Sequence, residues 1–120
     1  MQKCFITIGV NSIDESLSFY CDILSFDLER RVAPAEGIEL AWLKNENGLV
    51  VELVHRSGSN IPRVDNSDSF ITLTFQTDAL DSKIELLDRL NISYESFTLP
   101  NGSDVKRFRD PNGTAVSFMN

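Results

Sequence analysis

The tripeptide Phe5-Ile6-Thr7 returns as Phe70-Ile71-Thr72, an offset of 70 − 5 = 65 in a chain of 120 residues. Three residues alone constrain little. The same order of elements behind both copies, a strand, a helix and three strands, restricts the fold to a tandem duplication of one β-α-β-β-β unit. In the first copy, Cys4, Ile6, Ile8 and Val10 alternate with Phe5, Thr7 and Gly9, which is the period of a strand. Ser12-Ile13-Asp14-Glu15 has the form of a capping box, and Ile13, Leu17, Tyr20 and Leu24 lay one apolar stripe along the helix it starts. Strands are predicted over Asp27 to Ala33, Ile38 to Lys44 and Leu49 to His55, separated by turn signals at Pro34 to Gly37 and Asn45 to Gly48.

The pattern then restarts. Ser69 to Phe75 reads as a strand, Leu80, Ile84, Leu87 and Leu90 as a helix, and Asn91 as its left-handed stop. Strands follow near Ile92 to Leu99, Asp104 to Arg109 and Thr114 to Met119, with turns at Asn101-Gly102 and Asp110 to Gly113. The expected class is therefore α+β: one domain over 1–120, with module one at 1–56, a polar linker at 57–68 and module two at 69–120.

Eleven Lys and Arg against eighteen Asp and Glu give a net charge of −7, spread along the chain. A nucleic-acid partner needs basic clusters that neutralise phosphate, so none is expected. No run approaches the roughly 18 apolar residues of a membrane span, so no membrane partner is expected either, and the expected location is cytoplasmic. Cys4 and Cys21 match no metal or redox spacing and are expected as reduced thiols.

Several segments resemble, in order and spacing, the vicinal oxygen chelate superfamily, which includes glyoxalase I, extradiol dioxygenases, fosfomycin-resistance enzymes and bleomycin-resistance proteins. They are Ile8-Gly9-Val10 leading into Ser16 to Tyr20, Asp22 to Phe26, Val51-Glu52-Leu53, and Arg109 to Gly113. Ser25 departs from the pattern, which usually carries glycine after the helix. The resemblance implies that the modules form a cupped mixed sheet around a concave ligand cavity. In metal-dependent members four ligands stand early in the first strand and late in the last strand of each module; here those places hold Phe5, Glu52, Phe70 and Ser117. Only Glu52 is a good ligand, so no metal and no cofactor are expected. His55, the one histidine, lies by alternation on the opposite face from Glu52.

Alternation turns Ile6, Ile8, Val10, Ile71, Leu73 and Phe75 toward the helices, and Phe5, Thr7, Gly9, Phe70, Thr72 and Thr74 toward the concave side. The expected ligand-binding set is Phe5, Thr7, Trp42, Glu52, Phe70, Thr72 and Ser117, with the face of Trp42 left open because it depends on the length of the Asn47-Gly48 loop. A carboxylate between phenyl rings takes up a proton or finds a cation. That cation is either a ligand or an arginine such as Arg30 or Arg107, in which case Phe5 and Phe70 are packing residues. The leading function is a non-enzymatic protein that sequesters a small cationic or aromatic compound. The second is an enzyme, a glyoxalase-like lyase or isomerase or another enzyme of the superfamily, using Glu52 as base or metal ligand, and the third a partner-binding domain. No nucleophile motif supports an enzyme. A homodimer is expected, because the resemblance implies that such modules pair within one chain or across two, and each module alone leaves open sheet edges.

Overall fold

The turn chemistry sets the elements in place. The computed structural model describes residues 2–58, 60–62 and 71–120. Module one runs β1 (Ile6–Gly9), α1 (Ile13–Ser18), β2 (Asp27–Ala35), β3 (Ile38–Lys44) and β4 (Val50–Arg56). Module two runs β5 (Thr72–Gln76), α2 (Leu80–Arg89), β6 (Glu95–Thr98), β7 (Asp104–Arg109) and β8 (Ala115–Met119). The chain divides into two compact units, Met1–Pro62 and Arg63–Asn120. Each holds a four-stranded sheet of the same topology, β1-β4-β3-β2 and β5-β8-β7-β6, in which the first strand runs parallel to the last and the remaining pairs are antiparallel. The duplication read from the sequence is the observed architecture.

Local signals start α1 and stop both helices. Ser12 is extended and its Oγ accepts from the Glu15 amide at 3.2 Å, the forward half of the expected capping box. Past Ser18 the helix widens into a π-turn over Phe19–Ile23 and ends at Ser25, whose φ of 61° lies in the left-handed region. The Phe26 amide closes this end on the Tyr20 carbonyl at 3.0 Å, while the two rings meet edge-on at 5.9 Å. A glycine there would adopt this φ without strain, which explains why the family pattern has one. α2 ends as expected at Asn91, φ 55°. The Asn91 and Ile92 amides reach back to the Asp88 and Leu87 carbonyls at 3.1 and 2.9 Å, a Schellman pattern.

Each helix covers one face of its own sheet. In module one Val10, Ile13, Tyr20, Leu24, Ala41, Leu43, Val51 and Leu53 are buried, and in module two Leu73, Leu80, Leu87, Val105, Phe108, Val116 and Phe118 are. A fully buried aliphatic side chain contributes about 1.5–3 kcal/mol, so these rows hold the helices down. Across them, Arg31 on β2 ties Asp14 of α1 at 2.6 Å and Glu39 of β3. The Asp110 to Gly113 turn is built on a fully buried carboxylate: Asp110 Oδ1 accepts from the Asn112 and Thr114 amides at 2.9 and 2.8 Å.

Three expectations need correction. Ile71 was expected on the helix side but is 69% exposed, because β5 begins only at Thr72. The linker was placed at 57–68, yet Asn60–Pro62 belongs to module one, where Ile61 is bonded to Asn11. The third concerns register. β3 and β4 correspond to β7 and β8 at an offset of 65, Trp42 facing Glu52 as Arg107 faces Ser117. Glu52, however, pairs with Thr7 and Ser117 with Thr74, an offset of 74 − 7 = 67 for the first strands. β5 is thus slid by two residues, a shift that preserves which face each side chain takes.

Candidate functional site

The face of module one opposite its helix is organised in rows across the sheet. Pairing places Thr7, Glu52, Trp42 and Arg30 side by side on β1, β4, β3 and β2. Two local irregularities make this possible. Asn45 closes the β3–β4 hairpin: its Oδ1 accepts from the Asn47 and Leu49 amides at 3.1 and 2.8 Å, its own amide donates to the Leu49 carbonyl at 3.0 Å, and Gly48 takes φ 87°. This is the three-residue loop with a left-handed closing residue, and it fixes Trp42 opposite Glu52. On β2, a register shift between Leu28 and Arg30 brings Arg30 opposite Trp42.

Glu52 is half-buried and held at both oxygens. Thr7 Oγ1 donates to Oε1 at 3.1 Å, and the Trp42 indole Nε1 donates to Oε2 at 2.6 Å. Of the alternatives left open for this carboxylate, pairing with Arg30 is not what the structure shows: Arg30 instead lies over the indole, its Cζ 5.8 Å from the ring centroid. Trp42 remains 37% exposed and Phe5, just ahead of β1, 51% exposed. The arrangement is a carboxylate oriented by two neutral donors beside an indole whose face already attracts a cation.

Beyond this polar row lies an apolar one, Gly9, Val54, Leu40 and Val32. The corresponding polar row of module two is Thr74, Ser117, Arg107 and Glu95. Duplication has left guanidinium chemistry where module one has an indole, and a hydroxyl where it has a carboxylate.

Of the expected site residues, the structure brings together Thr7, Trp42 and Glu52. Thr72 pairs with Ala115, so the two-residue slide separates it from Ser117, which is buried between Thr74 and Arg107. Phe70 lies outside the described residues. His55 occupies the other face, as expected. Its Nδ1 stands 3.1 Å from the Val10 carbonyl, which only accepts, so Nδ1 carries the proton. With Glu39 and Ser57 it lines an open hollow of about 290 Å³ away from Glu52. Sequence reasoning missed Ile61 and Asn11 on the Glu52 face; a hydrophobic residue inside a polar stretch was the available signal for Ile61.

The metal positions implied by the family do not fit a metal. Phe5 has no lone pair, both oxygens of Glu52 already accept hydrogen bonds, and Ser117 is a buried neutral hydroxyl. Among the described residues no three His, Cys, Asp or Glu side chains converge. No helix of the described residues is long and apolar enough to cross a membrane.

Comparisons with known proteins agree with this architecture. An uncharacterized protein of Bacillus subtilis, YwbC, is 32% identical over 115 residues, covering 93% of this chain and 91% of its own. A glyoxylase/bleomycin resistance protein/dioxygenase domain from Frankia sp. superposes with a TM-score of 0.81 at 20% identity, covering 99% of this chain and 96% of that one. The trypanothione-dependent glyoxalase I of Leishmania major gives 0.77 at 17% identity, covering 97% and 84%. With residues 5–118 matching the family profile, the chain belongs to the Glyoxalase/Bleomycin resistance protein/Dioxygenase superfamily.

Proposed function

We propose that this protein is a metal-free binding protein that sequesters a small organic cation, its aromatic part against Trp42 and its charge toward Glu52. The observation that carries the reading is that, among the described residues, the donors bonded to the two oxygens of Glu52 are neutral, beside an exposed indole. Neutral donors orient a carboxylate without cancelling its charge, so the charge stays available to a ligand. Arg30 over Trp42 is an internal example of a cation on that ring. The net charge of −7 favours approach of a cation. Thr7 extends the same face. We assign the protein to the cytoplasm.

Thermal-shift titration with phenyltrimethylammonium and N-methylquinolinium tests the reading. A bound probe at a hundredfold its dissociation constant stabilises by about 2.7 kcal/mol. That shift is expected in the native protein and lost in Glu52→Gln. Elemental analysis should find no stoichiometric zinc, nickel, iron or manganese. One equivalent of tightly held metal, with turnover that chelation abolishes, would replace the binding reading by an enzymatic one. We extend the proposal to a homodimer: β2 is an edge strand of nine residues, eight of them exposed. Light scattering at tens of micromolar would count against the dimer if it returned a monomer mass.

A further inference from the structure

We infer that Asn60–Pro62 forms a strap across one end of the Glu52 face, and that Ile61 on this strap limits the length of the ligand the face admits. This rests on the binding reading above and names a residue that sets its specificity. Thr7 and Gly9 project to the same face of β1, since they are two residues apart and Thr7 reaches Glu52. A Cβ built on Gly9 would stand 2.9 Å from Ile61 Cδ1, so the isoleucine tip lies directly on the sheet at the end of the Gly9, Val54, Leu40 and Val32 row. Successive rows on one face are about 7 Å apart, close to the length of one aromatic ring with a substituent. A one-ring cation seated on the Trp42 and Glu52 row therefore fits short of Ile61, whereas a second ring directed along β1 meets it.

The strap is pinned by a device that only an amide side chain provides. Asn11, two residues past Gly9, donates from Nδ2 to the Ile61 carbonyl at 2.8 Å and accepts from the Ile61 amide at Oδ1, also at 2.8 Å. The side chain thus imitates a strand partner for one peptide unit. Aspartate keeps the acceptor but loses the donor and sets a carboxylate against the Ile61 carbonyl. Asn11→Asp is expected to release the strap with little change of shape. Ile61→Ala keeps the backbone clamp and removes only the obstructing side chain.

Two readouts separate the parts of this inference. Amide exchange at residue 61 reports the clamp without any ligand: it should quicken in Asn11→Asp and stay slow in Ile61→Ala. Calorimetric titration with phenyltrimethylammonium and its 4-biphenyl analogue reports the length limit. The native protein should prefer the one-ring probe by about tenfold, and both variants should bring the two affinities within about twofold by strengthening the longer probe. If both probes bind the native protein and the preference is unchanged in both variants, Ile61 is not the limit. Equal exchange in Asn11→Asp and native protein would overturn the strap. If neither probe binds any of the three proteins, the Glu52 reading falls and the length limit with it, whatever the exchange data show.

Discussion

Replacing Glu52 by glutamine removes a charge while leaving a side chain able to make both observed contacts. The Trp42 indole only donates, whereas the Thr7 hydroxyl donates or accepts. One amide orientation therefore satisfies both partners, with Oε1 toward Trp42 Nε1 and Nε2 toward Thr7 Oγ1, at positions 2.6 and 3.1 Å from the present oxygens. Charge-assisted bonds are roughly twice as strong as neutral ones, so exchanging two of them costs about 1–2 kcal/mol. Relief from partly desolvating a carboxylate offsets a similar amount. The expected net change is within about 1 kcal/mol, or roughly 3–6 °C in melting temperature for a chain of this size. Glu52→Leu, which leaves the indole without its acceptor, should lose about 1–3 kcal/mol. Trp42 is the sole tryptophan, so its emission reports on this side chain's surroundings and should shift in Glu52→Leu, which leaves the indole N–H without its acceptor. A glutamine variant that melts more than about 10 °C lower would refute the reasoning, because a loss of that size marks a buried carboxylate compensating a cation.

Ser25→Gly should stabilise by about 0.5–1 kcal/mol, since relief of the left-handed φ of 61° exceeds the extra chain entropy of glycine; a lower urea midpoint would contradict this. Asp110→Ala strands the Asn112 and Thr114 amides in a buried turn and should cost about 2–3 kcal/mol in denaturant unfolding. Burial, then Asp22 and Asp27, raise the Cys21 thiol above its ordinary 9.0. The folded chain holds that proton more tightly than the unfolded one, so the stabilisation is full below pH 9 and lost as pH rises through the folded value. Stability should therefore decline less steeply above pH 9 in Cys21→Ala than in the native protein, as followed by thermal unfolding.

Element order was readable because alternation, the Ser12 cap and the Asn91 stop are local signals, and each acts through the backbone within a few residues. The widening at Phe19–Ile23 was not, since the stripe of Ile13, Leu17, Tyr20 and Leu24 assumes a constant helical period, and the π-turn instead buries Phe19 and Ile23 as well. At the site, alternation put Thr7 on the concave side and the family resemblance put Glu52 there with it, but placing Trp42 required the geometry of the Asn45 loop, which residue types alone left open. The repeated Phe-Ile-Thr suggested one offset of 65 throughout, yet Thr74 and not Thr72 stands beside Ser117 as Thr7 stands beside Glu52, because identity of letters does not fix register between parallel strands. Ile61 was read as linker, its tie to the sheet running through an asparagine 50 residues away, beyond any local pattern.

The parallel pairing of β1 with β4 also orders events in time. Trp42 and Glu52 are 10 residues apart and joined by one hairpin, whereas Thr7 and Glu52 are 45 apart. Closing the longer loop costs about 1.3 kcal/mol more in chain entropy, so the indole reaches the carboxylate before the threonine does. During synthesis β1 is made before the other three strands of its sheet, and since among the described residues its strand neighbour is β4, it waits for that partner until the rest of the sheet has been made. A four-residue strand is a short template for wrong pairing during that wait, which gives the brevity of β1 a role in folding as well as in the site.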